Sequence, residues 1–224
     1  MLKLSKEKLR LSQKGFGKVK YQICVSGAAS GVTVQASHQL AYDLGKAIAK
    51  ANKTLTTGAT VGLPWFAAQG AFSVKDREGA SIGFSPASSF REHVTVYKLP
   101  TVEFDYINFT GMEYVGRNVH LVRSSDAVIT VGGRFGSLHE LVTAIESRKV
   151  IGVLLGSGGL ADYIPTLVQN IESKGMDIED IIYDTIPDRL VKKIIKALDI
   201  RYSDFKHDGT DNNINIRNRQ EDIN

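Results

Sequence analysis

The stretch from Ser125 to Glu140, SDAVITVGGRFGSLHE, constrains this chain most. Its apolar run Ala127–Val131 shows no polar alternation, which predicts a strand buried on both faces, as in a parallel sheet. The run ends at Gly132-Gly133-Arg134-Phe135-Gly136, and Ser137 opens an amphipathic segment. A strand, a glycine turn and a helix in that order aim free backbone N–H groups and the positive end of a helix dipole outward, an arrangement that suits a phosphate. Glu140 follows the turn by about one helical turn, so its carboxylate falls beside whatever the turn holds.

The pattern recurs along the chain. Strands are predicted over residues 21–26, 53–57, 80–84, 94–99, 127–131, 150–155 and 181–183. Helices are predicted over 34–51, 62–71, 111–122, 136–148, 161–173 and 187–198. Apart from the strand at 94–99, residues 85–110 read as irregular. Alternation at these lengths predicts an α/β fold: one doubly wound, Rossmann-like parallel sheet with helices on both faces. The 224 residues suffice for one domain with a sizeable core. That domain is expected over residues 21–200, after a basic leader at 1–20 and before a polar, disordered tail at 201–224.

Charge follows the same division. Residues 1–20 hold seven Lys/Arg against one Glu, whereas 21–200 hold 17 against 18. The body is near neutral, so the excess positive charge lies in the leader. A nucleic-acid partner is therefore not expected, because such a protein carries its positive charge on the folded surface. With no long apolar span and no signal-peptide pattern, no membrane is expected either, and a cytoplasmic location is. Cys24 is the only cysteine and lies in an apolar strand, where it reads as a small core residue. The five histidines show no ligand spacing, so neither a metal nor a cofactor is expected.

Ligands of open α/β sheets bind beyond the carboxyl ends of the strands. Three glycine loops fall there, at 27–31, 58–62 and 132–136. Three such loops in strand–loop–helix context point to a phosphate-bearing ligand, although tight turns alone also ask for glycine. The first loop, Gly27-Ala28-Ala29-Ser30-Gly31, lacks the dinucleotide spacing. The second strand carries no acid for a ribose hydroxyl, and no G-x-x-x-x-G-K-[ST] string occurs.

Gly132-Gly133-Arg134-Phe135-Gly136-Ser137-Leu138-His139-Glu140 resembles the P-G-G-x-G-T-x-x-E signature of the LOG ("lonely guy") family. Some of its relatives carry a lysine decarboxylase label. Arg117-Asn118 is similar to the family's R-K, Thr57-Gly58-Ala59-Thr60-Val61-Gly62-Leu63 to its G-G-G-x-x-G-L, and Ala68-Gln69-Gly70-Ala71 to its A-D-G-A. The resemblance runs from about Tyr21 to Leu198 and is nearest to an uncharacterised Rossmann-like branch. Val131 stands for the motif's proline, Ser137 for threonine, Asn118 for a basic residue, Ala59 for a glycine and Gln69 for an acid, while Arg134 adds a charge.

The resemblance implies a nucleoside 5′-monophosphate ligand, AMP-like, and hydrolysis of its N-glycosidic bond to base and ribose 5-phosphate. It implies a homodimer or higher homo-oligomer as well. Glu140 is then the catalytic carboxylate, and Arg117 bridges the substrate or fixes Glu140; an ion pair of Arg117 with Asp126 or Glu113 is the structural alternative. Gly132, Gly133, Arg134, Gly136 and Ser137 would hold the phosphate. Gly58, Thr60 and Gly62 would line the opposite wall, with Gly27 and Ser30 as further candidates, whereas Ser26 reads as a strand-end residue. Pyridoxal chemistry finds no support, because no lysine accompanies the glycine loops. A non-catalytic nucleotide-binding or sensing module with the same loops is the alternative.

Overall fold

The computed structural model describes residues 20–172 and 181–202. The expected leader, and the tail beyond residue 202, lie outside the described residues. Residues 20–198 form one compact unit.

Within it, strands and helices alternate: β1 (Gln22–Gly27), α1 (Val32–Lys50), β2 (Thr54–Thr57), α2 (Leu63–Phe72), β3 (Ser81–Ser85), α3 (Phe90–Thr95), β4 (Tyr106–Phe109), α4 (Glu113–Ser124), β5 (Ala127–Val131), α5 (Phe135–Glu146), β6 (Val150–Leu154), α6 (Gly159–Glu172), β7 (Ile181–Asp184) and α7 (Pro187–Arg201). The strands form one sheet in the order β4-β3-β2-β1-β5-β6-β7, with every neighbouring pair parallel. The α/β reading therefore holds. The connections run outward from β1 to β4, and α4 then carries the chain back across to β5. The sheet's order reverses between β1 and β5, where a crevice opens at their carboxyl ends.

Every residue of β5 and β6 is buried, as their unbroken apolar sequences require. On one face, Leu121 and Val122 of α4, Leu141 and Ala144 of α5, and Ile164 of α6 pack over Cys24, Val128 and Ile151. Burying each such Leu or Ile is worth about 1.5–3 kcal/mol. Cys24 is thus a core residue. Small residues of α1 and α2 set the close contact between these two helices. A methyl group at Gly45 would overlap the Ala67 carbonyl, and one at Gly70 would overlap the Tyr42 carbonyl.

Residues 85–110 depart from the expectation. Segment 94–99 is not a strand: α3 occupies its start, and the strand paired with β3 is β4. The β-branched residues Val94, Thr95 and Val96 give a misleading strand signal, and the helix start overrides them. Ser89 Oγ accepts from the Glu92 amide at 3.2 Å, while Glu92 Oε2 accepts from the Ser88 amide at 2.7 Å. This S-x-x-E arrangement gives partners to the Glu92 amide in the first turn and to the Ser88 amide just before the helix. His93 then anchors α3 from within, with Nδ1 2.8 Å from Ser85 Oγ and Nε2 donating to the Pro100 carbonyl at 3.0 Å.

Candidate functional site

Three loops meet at the crevice, and the helices they open are unfinished at their N-termini. Gly31 precedes α1, Gly62 precedes α2 and Arg134 precedes α5. None of the three receives a side-chain cap, and none has an acid in its first turn. The first-turn N–H groups of a helix need acceptors, and an anion supplies them. Two first-turn amides are satisfied by nearby carbonyls, Val34 N of α1 by Gly31 at 3.1 Å and Leu63 N of α2 by Ala28 at 2.9 Å. α3, capped on both sides of its start, shows that the chain can finish a helix where no ligand is due.

Between these termini lies a cavity of about 310 Å³. Gly27, Ser30, Gly58, Thr60, Arg117, Arg134, Gly136, Ser137 and Glu140 line it, which brings together nine of the twelve residues singled out from the sequence. The other three do not line it. Gly132 donates its N–H to Ser157 Oγ at 2.8 Å, and the carbonyls of Gly132 and Gly133 accept from Ala161 and Leu160 at the start of α6. Both glycines hold positive φ, 57° and 102°. They shape the turn and fasten it to α6, and the Gly132 N–H is already taken by Ser157. Gly62, at φ 79°, is pressed against the β1 loop, where a methyl group would overlap the Ala28 carbonyl. Gln69 also lies outside the lining.

Glu140 and Arg117 face each other, with Nη1 3.7 Å from Oε1, and both side chains are buried. Arg117 thus pairs with neither Asp126 nor Glu113. Its guanidinium lies against Gly58, where a methyl group would overlap it, and its buried Nε has no hydrogen-bond partner. Ser26 Oγ donates to Glu140 Oε2. The Asn118 amide, oriented to satisfy both of its ends, donates to Glu140 Oε1 and to the Tyr114 carbonyl, each at 3.0 Å.

Burial pushes the Glu140 carboxyl above its ordinary value. Arg117, the Ser26 hydroxyl and His139 offset part of that rise. Burial likewise lowers the Arg117 guanidinium, against the pull of Glu140. The site is therefore a desolvated acid–guanidinium pair at the floor of an anion-accepting crevice. A carboxylate held in this way can take hydroxyl donors from a sugar, stabilise a cation, or exchange a proton with a ligand. At the mouth, Arg134 Nη1 donates to Ser30 Oγ at 3.2 Å, so a cation bridges two of the loops.

Sequence reasoning missed Ser26, Asn118, Tyr114 and Phe135 as parts of the site. Ser26 needed the register, since its strand partner in β5 is Thr130 and it lies on the face that α5 covers. Tyr114 and Phe135 had a usable signal: aromatic residues within one turn of Arg117 and beside Arg134.

An uncharacterized protein of Archaeoglobus fulgidus is 30% identical over 133 residues, 59% of this chain and 79% of that protein. The structure of a molybdenum cofactor binding protein from Rippkaea orientalis superposes with a TM-score of 0.60 at 26% identity, covering 80% of this chain and 98% of that one. DNA processing protein A from Helicobacter pylori, solved to explain its single-stranded DNA binding mode, superposes at a TM-score of 0.54 and 17% identity over 80% of this chain and 81% of that one. That likeness overturns the expectation that nucleic acid is excluded. Net charge averaged over a domain is a poor guide to the surface one strand would touch, and this fold is compatible with such a ligand. The model of the SLOG cluster4 family matches residues 20–191, and the chain belongs to that LOG-like family.

Proposed function

We propose that this chain binds a nucleoside 5′-monophosphate and hydrolyses its N-glycosidic bond. The observation that carries the reading is the buried Glu140–Arg117 pair, one turn along a helix whose N-terminus is uncapped and opens into the same cavity. The phosphate sits on the first-turn amides of α5, with Ser137 and Arg134 beside it. The ribose then lies over Glu140. As the C1′–N bond lengthens, its electron pair leaves with the base and positive charge grows on the sugar, which the carboxylate stabilises. A water oxygen bonds to C1′, and its proton passes through Glu140 to the departing nitrogen. Arg117 keeps Glu140 in place.

The test is release of free base and ribose 5-phosphate from a panel of nucleoside 5′-monophosphates. Glu140→Ala is expected to abolish release while retaining nucleotide binding. Absence of release from every nucleotide would end the hydrolase reading.

A second reading is a non-catalytic binding protein for a phosphorylated heterocycle. Two observations favour it: both oxygens of Glu140 already have donors, and the likeness to the Rippkaea orientalis protein spans nearly all of that chain. Tight retention of AMP or of molybdenum cofactor in equilibrium dialysis, with no cleavage, would establish it.

A further inference from the structure

Phe135 opens α5 with 86% of its surface exposed, yet it lines the cavity. Folding gains little from an aromatic ring left in water at a helix start. Other rings at this end of the molecule have partners. Phe90 meets Phe109 edge-on at 6.3 Å, and Tyr114 meets Tyr97 at 5.7 Å while also lying 6.0 Å from the Arg117 guanidinium carbon. The next residue, Gly136, faces open space, since a side chain there would meet nothing within 4 Å. A flat apolar surface thus stands beside a gap, next to the cation of Arg134 and the uncapped amides of α5. The cavity's other aromatic ring, Tyr114, is engaged by Tyr97 and Arg117, and the remaining apolar lining, including Ala28, Ala29 and Pro64, offers bulk but no aromatic ring.

We propose that Phe135 is the specificity-determining residue for the base: the planar heteroaromatic ring of the ligand stacks on it while the phosphate is held by the same helix turn. This rests on the nucleotide reading above and adds the group that separates a nucleotide from a bare sugar phosphate. Stacking on an aromatic side chain tolerates any base, so the preference is for a flat ring rather than for one hydrogen-bonding pattern.

The experiment is calorimetric titration of the full chain with AMP and with ribose 5-phosphate, in the wild type at position 135 and in Phe135→Ala, Phe135→Leu and Phe135→Trp, each carrying Glu140→Ala so that AMP is bound without being cleaved. The wild type is expected to bind AMP about tenfold more tightly than ribose 5-phosphate. The Ala and Leu variants should lose that preference with ribose 5-phosphate affinity unchanged, and Trp should keep it. An unchanged melting temperature shows that the variants fold. Retention of the AMP preference in Phe135→Ala overturns the proposal. So does an equal loss for both ligands, or a changed sedimentation coefficient with the preference intact, which would make Phe135 a contact between chains. Equal binding of both ligands by the wild type overturns the stacking role alone, whereas binding of neither overturns the nucleotide reading with it.

Discussion

The hydroxyl of Ser26, near the end of β1, donates to Glu140 Oε2 on α5, across 114 residues of sequence. Arg117 approaches the other carboxylate oxygen from α4 but stops at 3.7 Å, well beyond the 2.7–2.9 Å typical of a charge-assisted hydrogen bond. The acid is thus anchored by two neutral donors, Ser26 and Asn118, and the guanidinium keeps hydrogen-bonding capacity in reserve. A pair closed tightly on itself would have less to offer a ligand.

Ser26→Ala should therefore disturb the acid more than the sheet. Glu140 is buried, and losing one donor leaves a buried acceptor unsatisfied, at a cost of about 1–3 kcal/mol. Urea denaturation should show the lower midpoint with an unchanged slope. The carboxyl should also rise further, since the Ser26 hydrogen bond is one of the groups holding it down. If the protein cleaves nucleotides, the acid limb of the rate profile moves to higher pH. An unmoved limb would show that the serine is only a strand-end residue.

Two buried acids give stability opposite dependences on pH. Glu140 is raised from its ordinary 4.5, so above pH 4.5 the folded state holds a proton that the unfolded chain has lost. Its contribution to stability falls as pH rises through that window. Asp184 is lowered from 3.8, chiefly by its hydrogen bond from Arg189, with Lys193 adding a second. Its contribution is present above 3.8 and is lost as pH falls. Unfolding free energies measured against pH should show Asp184→Asn flattening the acid limb and Glu140→Gln removing a decline above pH 4.5. A difference curve of opposite sign for Glu140→Gln would mean that the carboxyl is not raised.

The strands and the glycine loops were legible because their chemistry is local. Unbroken apolar runs such as that of β5 and positive-φ turns at Gly132 and Gly133 leave marks in adjacent residues. The crevice could be placed because strand alternation implies a sheet whose loops gather at one end. Roles that depend on register or on neighbouring loops could not be read in the same way. Gly132 looks like a phosphate ligand until Ser157, 25 residues on, takes its N–H. Ser26 looks inert until β1 lies beside β5. Segment 94–99 failed for the opposite reason: its β-branched residues were legible, but a capping box four residues earlier outweighed them.

Gly58→Ala should imitate the loss of Arg117. A methyl group at this position would overlap the guanidinium, which must then leave its place opposite Glu140. Overpacking of this kind costs about 1–3 kcal/mol of stability. Displacing a positioning group by about an ångström costs roughly two orders of magnitude in rate. Base release should fall by that much in Gly58→Ala and in Arg117→Ala, and by little more in the double variant, because both remove the same contact. Fully additive losses would show that Gly58 acts independently of Arg117.

Gly136→Ala separates what the fold wants from what the ligand wants. Gly136 lies in the first turn of α5, where alanine is the better helix former by up to about 1 kcal/mol. Its added methyl group meets no protein atom within 4 Å, so the fold offers no resistance. Thermal denaturation of the free protein should show a slightly raised melting temperature. The open space at that position belongs to the cavity, however, and the α5 amides beside it are the proposed phosphate contacts. Binding of AMP and of ribose 5-phosphate should therefore weaken together, by about tenfold or more, as a methyl group forces the phosphate off the helix terminus. Stability and affinity moving in opposite directions would identify Gly136 as a residue kept small for its ligand. Affinity left intact would place the phosphate elsewhere in the crevice, nearer the uncapped starts of α1 or α2.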